Sequence, residues 1–473
     1  MIRKRLSGIK TAGIVLTVLT VAGLTFGGAR AVTQPGYDTM RMDQDGQAMS
    51  YQVWTDWAPF ILPMPDGGAW VFFSAQAKVP NPQDPTKPTL GTRKLYASHF
   101  DPNSDTWQPA TALSGGQIQF GASAVVDAQG TVHLVYTDRV DAQDASYGTL
   151  VYRKSTPQGG WTDPVPVAPD PAAGHQLSAE LVLDGQGGLH VAWQDQRKVS
   201  EDQRSGPNGQ ASNADVFESD LQADGTWSAP VQMDVRPDAT TNASRPQLAV
   251  DGDRLVAIWS VYDQATGLNS AARVEWSVRP LADPAGWATP QVLFNRDGAQ
   301  IGGRFLDVAP DPTGGVAIVY GRRTQTDSST TNTLYLQKLP AGGSAWSQPL
   351  ALAGGPRGSY PKLAIASDGT DYVIYNLSTS TVHVGAIALA PGETRASTEV
   401  ILTAGEEGAQ GIPALAVDRN NAVWIVYMHQ PTGGQANEVR VLRGAVIPAE
   451  PAPATPVASP VASPAAEGSP VAG

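Results

Sequence analysis

Cysteine is absent from all 473 residues. That excludes disulfides, thiolate metal sites, a cysteine nucleophile and a cysteine for lipid attachment, so stability has to come from packing. The sequence also lacks an HExxH or clustered-histidine motif, a phosphate-cradling Gly-Lys loop and a Gly-x-Ser-x-Gly elbow, which removes the common zinc, nucleotide and serine-hydrolase signatures. His133 and His190 hold matching places in TVHLVY and GLHVAW and therefore read as parts of a repeat. Positive charge is in deficit. The formal charge is −12, and taking away the five cations of residues 1–31 makes it −17. An acidic exterior disfavours polyanions, so nucleic acid is not an expected partner.

Those five cations belong to an N-terminal pattern. Arg3, Lys4, Arg5 and Lys10 precede an uncharged stretch from Thr11 to Ala29, and Ala29-Arg30-Ala31 suits cleavage before Val32. Residues 1–31 are read as an export signal; if uncleaved, residues 11–29 approach bilayer-spanning length and act as a signal anchor. Either way the body is expected to be secreted or to lie on the extracytoplasmic cell surface. At the other end, residues 448–473 are Pro, Ala and Ser with few large apolar side chains, and such a tail is expected to be disordered.

Between these ends, one pattern occurs seven times: a short apolar run, an Asp-centred turn usually carrying Gly, and a second run rich in Val, Ile, Trp and Tyr. The turn aspartates are Asp66, Asp127, Asp184, Asp251, Asp311, Asp368 and Asp418, at spacings of 61, 57, 67, 60, 57 and 50 residues. Periods of this size built from hairpins imply a radial array of small sheets, because one hairpin cannot bury its apolar face alone. A third apolar run follows each hairpin. Five copies then carry a turn with Trp107, Trp161, Trp227, Trp287 or Trp346 before a fourth run. A large ring recurring once per sheet is a wedge between neighbours, not a ligand contact.

The expected fold is all-β, a seven-bladed β-propeller of four-stranded antiparallel blades over residues 32–447, with six blades as the alternative count. The seventh copy lacks a fourth run. Met49 to Trp54, MSYQVW, is the expected substitute, so that an N-terminal strand closes the ring and covers its open edge. The Asp and Trp turns fall on one rim; the other rim carries long polar loops, such as Gln194 to Ala214, where a ligand is expected.

The hairpin repeats, together with Trp turns such as ADGTWSAP, resemble the aspartate-box (BNR-repeat) propellers of the sialidase superfamily. That resemblance implies arginines at the mouths of inner strands that clamp a substrate carboxylate, and a tyrosine nucleophile on a late blade. It assigns Arg245 in SRPQLAV and Arg304 in GGRFLDV to the carboxylate, Tyr360 in GSYPKLAI to the nucleophile, and Glu180 in SAELVLD as the acidic partner of Tyr360. The chemistry fits, since a guanidinium fork matches a carboxylate bidentately. The first blade departs from the family pattern: Trp57-Ala58-Pro59-Phe60 stands where an Arg-Ile-Pro motif belongs.

Calcium is a secondary possibility at Asp138, Asp141 and Asp144, or at Asp43 and Asp45, although Trp54 occupies the place of an EF-hand's closing Glu. Otherwise no cofactor or metal is expected. The favoured expectation is a monomeric, exported propeller that binds a carbohydrate or another extracellular ligand without turnover. The alternatives are a sialidase-type retaining glycoside hydrolase and a cell-surface propeller that docks proteins.

Overall fold

The computed structural model describes residues 30–31, 37–40, 59–79, 81–84, 86, 89–139, 148–157, 159–169, 175–197, 214–234, 241–263, 271–296, 306–325, 330–353, 358–378, 380–433 and 437–449. These residues hold strands and turns and no helix. None of them forms a helix long and apolar enough to cross a membrane. The strands make seven sheets, in each of which the first three strands run antiparallel in chain order outward from an inner strand. Blades 1 to 7 begin with inner strands Phe60–Pro63, Gln117–Val126, Gln176–Leu183, Thr241–Asp251, Leu306–Pro310, Gly358–Ile365 and Ala409–Val417. Each inner strand packs beside the next, and the seventh packs beside the first. The chain is a closed seven-bladed β-propeller.

Closure comes from the N-terminus, though from a different segment than the one expected. Tyr37–Thr39 supplies the fourth strand of blade 7, with Tyr37 opposite Leu442 and Thr39 opposite Arg440. Met49 to Trp54 lies outside the described residues. The closing strand ties blade 7 to blade 1 through side chains: the Trp107 indole N–H donates to Asp38 at 2.9 Å, Arg443 pairs with Asp38 at 3.2 Å, and Met40 is buried between the two blades. Arg30–Ala31, at the expected cleavage point, adds a parallel strand outside Val400–Ile401 of blade 6.

The repeat owes its regularity to two side chains. In the turns, Asp127 Oδ1 accepts the N–H groups of Gln129 and Thr131, Asp184 those of Gln186 and Gly188, and Asp418 those of Asn420 and Ala422, at 2.7–2.9 Å. A carboxylate that bonds its own backbone two residues on fixes a hairpin without help from the core. The tryptophans of blades 1 to 5 wedge each of these onto the blade before it. Trp161 meets Trp70 edge-on at 5.6 Å, Trp227 meets Tyr152 at 5.5 Å, and Trp346 meets Trp276 at 5.8 Å.

Candidate functional site at the hub

The inner strands share a defect. In blades 2, 3, 4, 6 and 7 the pairing register slips between Gln119 and Ala122, Leu177 and Glu180, Ser244 and Gln247, Ser359 and Lys362, and Gly411 and Ala414. In the bulges of blades 3, 4, 6 and 7 one non-glycine residue takes a left-handed backbone: Ser178 (φ 53°), Arg245 (56°), Tyr360 (53°) and Ile412 (51°). Such residues are rare outside turns, and bulges re-aim side chains at sheet edges and sites. Recurrence at four blades makes the strain a property of the repeat. What varies is the side chain displayed, and two of the four are Arg245 and Tyr360.

The residue that resumes pairing after each bulge is Ala122, Glu180, Gln247, Lys362 or Ala414. Asp307 of blade 5 holds the same place, four residues ahead of its turn aspartate, as Glu180 does in blade 3. Three of these six positions are charged, and they meet at the hub. Lys362 Nζ lies 2.7 Å from Asp307 Oδ1, and the Leu363 N–H donates to Asp307 Oδ2 at 2.9 Å. Burial pulls the Lys362 ammonium toward deprotonation, and the attraction of Asp307 and Glu180 outweighs it, leaving its pKa raised.

Glu180, three blades away from Lys362, feels both partners across the axis. Burial pushes its carboxyl up to about 7 from 4.5; Lys362 opposes that shift, Asp307 adds to it, and a hydrogen bond with Ser123 of blade 2 opposes it. A carboxyl poised near neutrality can hold or release a proton at physiological pH.

The shift carries a stability signature. Between pH 4.5 and about 7 the folded chain keeps a proton on Glu180 that the unfolded chain has lost, so stability falls as pH rises through that window and stays lower above it. Glu180→Gln cannot ionise. It should therefore be more stable than the native chain by about 2 kcal/mol at pH 8, with no difference near pH 4, in urea unfolding at both values. A gap that does not widen with pH would put the Glu180 carboxyl in water.

No protein-family model and no curated protein matches the chain. A polysaccharide lyase of a new family, the PL25 ulvan lyase, superposes at TM-score 0.54 and 10% identity over 87% of this chain and 96% of its own. A fungal alcohol oxidase of the AA5 family, solved in complex with copper, superposes at 0.51 and 13% identity over 89% of this chain and 79% of its own. The likeness is one of fold.

Of the residues named from the sequence, Glu180, Arg245 and Tyr360 stand on the inner strands of blades 3, 4 and 6 of this propeller, and Glu180 reaches the charged hub. Arg304 lies outside the described residues. So do Asp43, Asp45, Asp141 and Asp144 of the calcium candidates; Asp138 is described, and its two oxygens cap the N–H groups of Gly115 and Gly116 at 3.1 Å. Asp307 and Lys362 escaped sequence reading. Their signal was register: Lys362 resumes pairing after its blade's bulge as Glu180 does, and Asp307 stands four residues ahead of its turn aspartate as Glu180 does.

One group of metal-type ligands occurs among the described residues, His190, Glu218 and Asp220. The Arg279 guanidinium already sits among them, 2.8 Å from Glu218 and 3.4 Å from His190 Nδ1, with Asp220 also bonded. His190 Nε2 reaches the turn aspartate Asp184 at 3.2 Å, and His133 does the same with Asp127 in blade 2. The matching histidines are repeat-structure residues, as expected.

Proposed function

We propose that this protein is an exported propeller that binds a carbohydrate at its hub, entered from the loop-rich rim, with Arg245, Tyr360, Lys362, Asp307 and Glu180 as the contacting set. The observation that carries the reading is the convergence of Glu180, Asp307 and Lys362 from three separate blades on one axis. Burying charged side chains together at the axis is costly, and Lys362 and Glu180 supply a donor and a switchable donor or acceptor for sugar hydroxyls. Support by analogy comes from the ulvan lyase, which has been solved bound to -[GlcA(1-4)Rha3S]-, with TM-score 0.53 and 9% identity to this chain.

The test is a glycan array probed with the native chain and with Arg245→Ala and Lys362→Met. Binding should weaken at least tenfold in both variants, which corresponds to about 1.4 kcal/mol or more. Glycans held equally well by all three proteins would remove the hub from the reading, and no glycan bound at all would leave protein docking.

A second reading, a retaining hydrolase of sialidase type, draws on the near-neutral Glu180 as the group that takes the proton from Tyr360. Turnover of a fluorogenic sialoside that disappears in Tyr360→Phe would replace the non-catalytic assignment; no turnover in the native chain would retire this second reading.

A further inference from the structure

Toward the Asp-turn rim the central channel is unlike the hub. It holds a cavity of about 580 Å³ walled by the inner-strand ends of blades 1, 2, 5, 6 and 7. Met64, Val126, Val308, Ile365 and Val417 line it, one from each of these blades and all half-buried. Exposed apolar side chains elsewhere, such as Val165 and Val292, stand singly on outer strands. Single ones need no explanation, whereas a shared hollow of this volume falls in the range of about 300–1,000 Å³ for small-molecule sites.

The wall suits an alkyl chain better than a sugar. Pro63, Pro65 and Pro310 stand in it without an N–H to offer. Asp307 and Lys362 immediately precede the wall residues Val308 and Leu363, yet they belong to the charged hub and are not part of the wall. An apolar hollow open to water gains free energy when an apolar group fills it.

Its charged residues are Asp418 and Arg419. Asp418 is committed to its own turn: Oδ1 accepts the N–H groups of Asn420 and Ala422, and Oδ2 accepts the Trp424 indole N–H, at 2.8–3.2 Å. Arg419 is exposed, and no hydrogen bond or ion pair engages it among the described residues. In the other six turns the residue after the aspartate is Gly, Ala or Pro, so blade 7 alone puts a cation there.

We propose that the Asp-turn mouth of the channel binds a single-chain alkyl carboxylate, with the chain in the apolar hollow and the head on Arg419. A guanidinium fork matches a carboxylate bidentately, and a lone cation beside an apolar wall selects one anionic head on an apolar body. The carbohydrate reading uses the opposite side of the disc, so this proposal stands apart from it.

Calorimetric titration of the full chain tests it. One dodecanoate should bind per chain, and decanoate about tenfold more weakly, since each methylene taken from water tightens binding about three- to fourfold. Arg419→Glu, at an exposed position, should keep the native circular dichroism and urea midpoint. It should weaken dodecanoate at least tenfold and take dodecyltrimethylammonium at least tenfold more tightly than the native chain does. Equal dodecanoate affinity in the two proteins, or no dependence on chain length, would overturn the proposal. So would a native chain that takes up no dodecanoate; its sedimentation as a dimer that Arg419→Glu dissociates would give the cavity to a second copy. Arg245 and Lys362 are untouched, so this titration and the glycan array fail independently.

Discussion

Arg279→Met should cost about 3–5 kcal/mol of stability at pH 8, the range for breaking a buried charge network by removing one partner. Arg279 is fully buried and bonds Glu218 of blade 3 at 2.8 Å and Asp220 as well, while its guanidinium lies 5.7 Å from the Trp287 ring of its own blade. Without it, two carboxyls and His190 face one another between blades 3 and 4 with no permanent cation. Burial and the neighbouring Asp220 already push the Glu218 carboxyl up to about 8 against the pull of Arg279. The native pair is therefore tuned by that pull.

In the variant the carboxyls can be neutralised only by taking up protons, so the deficit should shrink as pH is lowered toward 5. Denaturant unfolding at pH 8 and pH 5 measures it. An equal loss at both values would mean that Arg279 acts by filling space and not by charge.

Met40→Ala should cost about 2–5 kcal/mol, the range for truncating a fully buried large apolar side chain. Met40 is 1% exposed and lies among blade 1 and blade 7 residues including Ile61, Phe73 and Val426. Its N–H bonds to the Val439 carbonyl at 2.9 Å, which continues the ladder of the closing strand. The side chain therefore seals the seam where the two ends of the ring meet, and a cavity there weakens the one interface that chain connectivity does not enforce. Asp38→Ala, which frees Trp107 Nε1 and Arg443 at the surface of the same seam, should cost about 1 kcal/mol. Thermal or urea unfolding of the two variants should keep that order. A Met40→Ala loss below that of Asp38→Ala would show that the closing strand contributes little burial.

The blade count and the positions of the turns followed from local chemistry. An aspartate that caps its own turn, a Gly beside it and a run of β-branched residues on each side interact over a few residues, so a linear sequence displays them. The once-per-blade tryptophans were equally legible, because a wedge must recur wherever an interface recurs. The closing strand was not. Tyr37–Thr39 is too short to show a period, and MSYQVW carries a better strand pattern than YDT. What selects YDT is its partners on blades 7 and 1: Arg440 stacked 3.9 Å from the Tyr37 ring, and Trp107 and Arg443 on Asp38.

By itself, then, the sequence determined the wheel: seven sheets, their turns, their wedges and the side of the disc on which polar loops gather. Only the tertiary structure decided what stands at the axle. Asp307 and Lys362 are 55 residues apart and Glu180 is further still, and no local pattern links them. They become neighbours because ring closure brings one register position of every blade to a common axis, where burial and mutual charge, and not sequence distance, set what each group can do.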